Sequence, residues 1–242
     1  MNALTAQLRT ELRLIFRNGE QLLVSLGIPL AILVFFSRVE LTSGATAGDP
    51  IDRVAPGVLA LAIMSSSLVG LGVGTGFDRS YSVLKRLGAT PLGRSRLIMA
   101  KLLAVLCTEL VQFAVLVPVS LALGFEPVWS GWPSVLAATV LGTAAFGGSA
   151  LLMAGQLSGL ANLAASNLIY LLLLGTSGVI VELSLLPGPV RWVAELLPAA
   201  PLVEIISSSL TGADISVRPW ITLGAWAVTL PVAAIRWFRW EP

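Results

Sequence analysis

The 242-residue chain has no histidine and a single cysteine, Cys107. Without histidine there is no histidine-ligated metal site, no serine–histidine–aspartate triad and no histidine proton relay. A single cysteine cannot form a disulfide within the chain. Most familiar enzyme chemistry is therefore excluded.

Charged residues are also scarce. They make up 12% of the chain, and apolar residues make up 56%, whereas soluble domains average about 25% charged and roughly 45–50% apolar residues. This composition excludes a soluble fold. The 15 lysines and arginines are too few and too scattered for a surface that follows phosphates, so no nucleic-acid partner is expected.

Long apolar runs predict the fold class, because a bilayer core of about 30 Å needs roughly 20 apolar residues in helical form. Six runs fit, and the sequence predicts an all-α integral membrane protein with one transmembrane domain over 1–242. The predicted spans are residues 21–37, 54–77, 102–125, 133–157, 160–181 and 219–238.

The distribution of basic residues predicts the orientation, since six spans place both termini on one side and cytoplasmic loops are rich in Lys and Arg. Eleven basic residues lie on the side of the termini: Arg9, Arg13, Arg17, Arg79, Lys85, Arg86, Arg94, Arg96, Lys101, Arg236 and Arg239. Four lie on the other side: Arg38, Arg53, Arg191 and Arg218. Both termini are therefore predicted to be cytoplasmic.

The N-terminal segment 1–19 has apolar residues at intervals of three and four, which predicts an amphipathic helix over 3–16. Such a helix either lies on the inner membrane surface or extends the first span into the cytoplasm, and periodicity alone favours neither. A signal peptide cleaved after Ala47 is less favoured, because Glu11 and Glu20 precede an apolar run that ends well before that site.

The outer segment 182–218 mixes apolar residues with four prolines, which are Pro187, Pro189, Pro198 and Pro201. Proline interrupts helices, and irregular backbone at membrane depth must be covered by protein or water. The sequence therefore predicts short helices partly embedded at the outer face between the fifth and sixth spans.

Polar residues inside the spans are the intramembrane candidates. Glu109 and Gln112 lie one turn apart on the third predicted span, and Asn162 and Asn167 lie in or near the fifth. Two interpretations of Glu109 and Gln112 remain open, a pathway or gating pair and an interhelical hydrogen bond. For the asparagines, interhelical hydrogen bonding is favoured over a polar conduit.

Four glycines on the second predicted span are assigned to helix packing. They form two small-xxx-small pairs, Gly70 with Gly74 and Gly72 with Gly76.

The connection 78–101 is charged and helix-forming, with Tyr81, Leu84 and Leu87 giving an apolar stripe that ends at Gly88. Thr90 precedes a proline in an arrangement typical of a helix start. From the residues alone this loop is either a docking element or a solvated connection.

One motif in this loop is similar to a known family. The run Leu84-Lys85-Arg86-Leu87-x-Ala89-Thr90-Pro91-Leu92-x-Arg94, with Lys101 opening the third span, resembles the cytoplasmic loop of type-2 ATP-binding cassette (ABC) transporter permeases. These are the membrane subunits of many bacterial exporters. The Leu-Pro motifs around Pro187 and Pro198 resemble the same family.

The resemblance implies that 83–96 contains a coupling helix for a separate ATPase subunit, which would hold ATP and Mg²⁺. The implied coupling residues are Leu84, Lys85, Arg86, Leu87, Thr90, Pro91, Leu92 and Arg94. It also implies a second permease copy, identical or related, surrounding membrane lipid, and export of a drug, antibiotic, lipid or similar amphiphile across a bacterial plasma membrane.

This chain itself is expected to bind no cofactor and to catalyse no reaction. A Walker A loop needs Gly-Lys followed by Ser or Thr, whereas Lys85 and Lys101 follow Leu84 and Ala100. The competing hypothesis is a stand-alone ion-coupled carrier or channel that uses Glu109. An intramembrane enzyme is disfavoured, because neither a paired carboxylate nor a histidine accompanies Glu109.

Overall fold

The computed structural model describes residues 3–37, 50–90, 92–179, 183–214 and 216–239, and within these ranges the chain is helical with short connections and no strand. This confirms the all-α fold class. The helices are α1 Ala3–Arg17, α2 Gly19–Phe36, α3 Pro50–Met64, α4 Leu71–Ser80, α5 Val83–Gly88, α6 Arg94–Ala122, α7 Trp132–Ala154, α8 Gly159–Thr176, α9 Gly188–Leu196, α10 Ala199–Thr211 and α11 Val217–Trp237.

Among the described residues, five helical stretches are long and apolar enough to cross a bilayer. They are Pro50–Ser80, Arg94–Ala122, Trp129–Ala154, Gly159–Thr176 and Val217–Trp237, and they match the second to sixth predicted spans. Helix α2 occupies the first predicted span, but its described apolar part runs only from Ser25 to Phe36. The disfavoured signal-peptide cleavage site after Ala47 lies outside the described residues.

The second span is one continuous helical rod with a wider turn in its middle. Ser65–Gly70 is π-helical and joins α3 to α4 without a break. Such a π-helical stretch is rare and often occurs at functional sites. No pattern in the sequence predicts this π-helical turn, although the three serines at 65–67 lie in it.

The loop after the second span differs from its prediction. Thr90 does not begin a helix: its hydroxyl donates to the carbonyl oxygen of Leu87 at 2.6 Å, at the end of α5. The next helix, α6, begins at Arg94 and runs unbroken to Ala122. The predicted start was therefore wrong, because Thr90 closes the preceding helix, and Pro91 lies outside the described residues.

Both ends of the described chain meet at one end of the bundle. Ala3, Leu84, Leu97 and Phe238 pack in one hydrophobic cluster, which joins α1, α5, α6 and the residues after α11. The turn between α7 and α8 lies at the same end, because Gln156 Nε2 donates to the carbonyl oxygen of Trp237 at 2.6 Å. We call this end, formed by 3–17, 77–101, 155–159 and 236–239, the platform.

The opposite end is closed by α9 and α10, which are bent by 79° relative to each other. Helix α10 is a core element, since Leu202, Ile205 and Ile206 are fully buried against α3, α7 and α11. Helix α9 is amphipathic and exposes 61% of Trp192. The segment between α8 and α11 therefore consists of short helices packed on the spans, and their placement at the outer face stays a prediction.

Candidate functional site

The short helix α5 is placed by a tight turn at the end of α4. Ser82 has a φ of 59°, which is uncommon for a residue other than glycine, and it lets the chain reverse immediately after Tyr81. The Tyr81 ring stacks on Phe77 with 6.1 Å between ring centroids. Helix α5 is thereby held against the end of the second span.

The structure divides the predicted coupling residues into an internal set and an external set. Leu84 is fully buried and Leu92 is 5% exposed. Both pack with Leu97 and Phe238, and Leu87 is partly buried against them. The apolar stripe predicted to face an ATPase therefore packs largely within this chain, because the residues after α11 cover it.

The external set is polar and basic. Lys85, Arg86, Thr90 and Arg94 are exposed, and so is Tyr81. These side chains form what we call the basic face of the platform. A partner that approaches α5 meets this face first.

Lys101 connects three elements of the platform. It is only 4% exposed, and its Nζ lies 3.1 Å from a carboxylate oxygen of Glu11 on α1 and 3.0 Å from Oδ2 of Asp78 on α4. A buried ammonium needs such partners to offset its lost hydration. The sequence places Lys101 at the opening of a span but does not reveal its two carboxylate partners. Glu11 is 90 residues and Asp78 is 23 residues away from Lys101 in the chain.

Glu109 is fully buried between α6 and α7. Its Oε2 lies within hydrogen-bond distance of the Thr143 hydroxyl, which also lies 2.8 Å from the Thr139 carbonyl oxygen. A threonine hydroxyl has one hydrogen to donate. If that hydrogen goes to Thr139, Glu109 must donate to Thr143, which requires a neutral carboxylic acid. The other carboxyl oxygen, Oε1, has no hydrogen-bond partner.

Gln112 joins three elements one turn further along α6. Its Oε1 accepts from the Ser66 hydroxyl at 3.0 Å, and its Nε2 donates to the Ser25 carbonyl oxygen at 3.0 Å. Gln112 therefore links α6 to the π-helical turn and to α2. This is the interhelical arrangement that the sequence left open beside a gating role.

The two asparagines have different positions. Asn162 is buried and donates to the Gly72 carbonyl oxygen at 2.6 Å, which ties α8 to α4. Asn167 is exposed on α8 and donates to the Leu163 carbonyl oxygen of its own helix at 2.8 Å. It is therefore available to a neighbouring molecule.

The two predicted glycine pairs have different surroundings in the structure. A Cβ on Gly76 would lie 2.8 Å from Asn162 Nδ2, and one on Gly72 would lie 3.0 Å from Ser166 Oγ, so these two face α8. A Cβ on Gly74 would meet nothing within 4 Å. Gly70 and Gly74 instead line a cavity beside α1.

Glu109→Gln is expected to change the free energy of unfolding by less than about 1 kcal/mol, because an amide can either donate a hydrogen bond to the Thr143 hydroxyl or accept one from it. Thr143→Val is expected to cost about 1–3 kcal/mol, because it leaves the buried carboxyl without its partner. Thermal unfolding of the two purified variants checks both values. A larger loss for Glu109→Gln than for Thr143→Val would show that the carboxyl group is needed in its charged form.

No group of three or more His, Cys, Asp or Glu residues is placed to hold a metal ion in the part of the chain that the structure describes. The site is thus built from a basic face, one buried ion cluster and uncharged hydrogen bonds.

Comparison with known proteins agrees with this architecture. Residues 2–211 match the family model described as ABC-2 type transporter. The match covers α1, the spans up to α8, the platform loop, α9 and α10. No curated protein matches the chain.

Proposed function

Because the chain belongs to the ABC-2 type transporter family, we propose that it is the membrane subunit of an ATP-driven exporter. It moves a drug, an antibiotic, a lipid or a similar amphiphile outward, and a separate ATPase subunit hydrolyses ATP. The observation that carries this proposal is the platform, where a short helix with an exposed basic face is tied to the second and third spans. Force on α5 is passed directly to those spans.

The platform is the cytoplasmic end of the molecule in this proposal. It gathers the basic residues of α1, the loop after the second span and the chain after α11, and cytoplasmic segments carry this excess. The membrane that the chain spans is, in this proposal, the plasma membrane of a bacterium. The ATPase therefore docks on the cytoplasmic side, where ATP is available.

The docking contact is made by the basic face, with Arg86 and Lys85 at its centre. These side chains are exposed, whereas Leu84 supports α5 from below. An acidic cleft on the ATPase is the complementary surface, since opposite charge guides association and sets the register of the contact.

A second permease copy completes the transporter. Helix α8 exposes Leu168, Leu171 and Leu172 on the part of the bundle that also presents Asn167. A polar side chain at span depth is better placed against a protein helix or a polar pathway than against lipid tails. We therefore assign α8 to the contact with the second copy.

Arg86→Glu is expected to weaken ATPase binding by about tenfold, since reversing a charge in a complementary interface costs ~1.4 kcal/mol or more. A pull-down of the tagged permease in mild detergent, with quantification of the co-eluting ATPase and its ATP hydrolysis, measures this. Arg13→Glu is the matched control, because Arg13 is also exposed and lies on α1 rather than on α5 or the loop that follows it.

Equal ATPase retention by wild type and Arg86→Glu would contradict docking on the basic face. The absence of any co-eluting ATPase from wild type would contradict the whole proposal and favour the carrier hypothesis. That hypothesis has its own test: ion-coupled transport through Glu109 is lost in Glu109→Gln, whereas ATP-driven transport continues. Neither of the two cavities described lies against Glu109.

A further inference from the structure

A cavity of about 620 Å³ lies within one copy of the chain, between α1, α2, the second span and α6. This volume falls within the range of about 300–1,000 Å³ typical of small-molecule sites. The cavity is separate from α5 and from the exposed face of α8. Its walls are largely apolar or small, as at Leu14, Leu71, Gly74 and Val105.

One end of the cavity is charged. Glu11, Asp78, Lys101 and Arg17 all line it, and they lie on or beside the platform. The Lys101 ammonium is shared between the two carboxylates at 3.0–3.2 Å. This charged end thus presents a carboxylate pair that is only half neutralised by Lys101, and Arg17 adds a guanidinium to the cavity lining.

The depth of the cavity matches one membrane leaflet. Asp78 at the charged end and Ser66 at the far end are twelve residues apart on the second span, which is about 18 Å at 1.5 Å per residue. Half of a hydrocarbon core of about 30 Å is ~15 Å. An acyl chain that enters from the headgroup level would therefore run the length of the cavity.

The hydroxyl groups that line the cavity also differ with depth in whether they have a hydrogen-bond partner within the protein. At the deep end the Ser66 hydroxyl donates to Gln112, and the Thr108 hydroxyl donates to the Ala104 carbonyl oxygen, each at 3.0 Å. Their hydrogens are used within the protein. The Thr75 hydroxyl, by contrast, has no hydrogen-bond partner, although Thr75 is only 1% exposed.

Thr75 lies three residues from Asp78, or about 4.5 Å deeper along the helix. This is the level directly beneath a headgroup, where a phospholipid carries its ester carbonyls. A buried hydroxyl without a partner costs free energy. Thr75 lines the cavity, and a rotation of its side chain that turns the buried hydroxyl toward the cavity would let an ester oxygen accept its hydrogen. From the charged end inward, the cavity therefore presents charged side chains, then one hydroxyl donor, then apolar walls. A phospholipid has its headgroup, its ester carbonyls and its acyl chains in the same order.

We propose that this cavity binds one acyl chain and the headgroup of a zwitterionic phospholipid from the leaflet at the platform. The lipid ammonium meets the carboxylates of Glu11 and Asp78, its phosphate meets Arg17, and the Thr75 hydroxyl donates to an ester carbonyl. The site lies between α1 and the second span, so a bound lipid supports the ion cluster of Lys101. The proposal requires no ATPase.

Gly74→Leu is the direct test, because Gly74 lines the cavity and a Cβ added there meets nothing within 4 Å. Gly224→Leu on α11 is the matched control, since Gly224 also has open space around it and lies outside the cavity lining. The full chain is purified in mild detergent and titrated with phosphatidylethanolamine or phosphatidylglycerol, and native mass spectrometry counts the bound lipids. Thermal unfolding confirms that both variants are folded.

Wild type and Gly224→Leu are expected to retain one phosphatidylethanolamine more tightly than phosphatidylglycerol, and Gly74→Leu is expected to lose that lipid by tenfold or more in apparent affinity. Arg17→Glu is expected to weaken binding of the same lipid, although this substitution does not fill the cavity. Equal lipid retention by Gly74→Leu and wild type would overturn the proposal. Loss of chain–chain association in Gly74→Leu, with no bound lipid in wild type, would also overturn it and assign the cavity to a second copy.

Discussion

Replacing Lys101 with methionine is expected to lower the free energy of unfolding by about 3 kcal/mol, the lower end of the range for breaking a buried ion pair. The ammonium is the shared partner of Glu11 and Asp78, so its removal leaves two carboxylates facing each other without compensation. The lower end applies because Asp78 is 36% exposed and water screens part of its charge. Thermal unfolding in detergent measures the loss.

The same replacement is expected to release α1 from α6, because Glu11 supplies the ionic contact between these helices. Limited proteolysis near the N-terminus reports this release. In a triple variant, Lys101→Met with Glu11→Gln and Asp78→Asn, most of the stability is expected to return, since no charge remains in this cluster. If Lys101→Met alone unfolds at the wild-type temperature, the ion cluster contributes nothing to holding the platform together.

Gly148→Ala is expected to destabilise the bundle by about 1–3 kcal/mol, as overpacking of a core does. A Cβ on Gly148 would lie 2.6 Å from the backbone nitrogen of Pro231 and 2.9 Å from the carbonyl carbon of Leu230. These are backbone atoms of α11, which cannot rotate away. The added methyl group must therefore push α7 and α11 apart along their contact.

Gly224→Ala adds the same methyl group to α11 where nothing lies within 4 Å. It is expected to stabilise the protein by up to about 1 kcal/mol, because alanine favours a helix over glycine. If Gly148→Ala lowers the unfolding temperature and Gly224→Ala raises it, the close contact between α7 and α11 is the cause of the destabilisation by Gly148→Ala. A stabilising effect of Gly148→Ala would show that α7 and α11 are not packed as closely as described.

The apolar runs were sufficient to predict the second to sixth spans, because backbone groups in a bilayer core must be hydrogen-bonded within a helix. The 3.6-residue periodicity of 3–16 likewise predicted helix α1, and the prolines after the fifth span predicted short helices there. These features depend on local sequence alone. The boundaries were less accurate, as at α6, which begins at Arg94 where the sequence placed a loop.

The candidate site depended more on contacts between distant residues. The motif at 84–94 located the platform loop, but the sequence could not show that Leu84 is covered by Phe238 while Arg86 is exposed. An apolar stripe on a short helix has the same pattern whether it faces a partner or the rest of its own chain. That distinction moves the proposed docking contact from the leucines to the basic side chains.

Sequence by itself determined which segments are helices in the membrane and where basic charge accumulates, since both follow from the solvation of each segment taken alone. Only the tertiary structure decided which polar groups are paired: Lys101 with Glu11 and Asp78, Glu109 with Thr143, and Gln112 with Ser66. It also decided that Gly76 meets Asn162 while Gly74 faces open space. The physical reason is that pairing and cavities depend on which helices become neighbours, and that arrangement is set by the packing of the whole bundle.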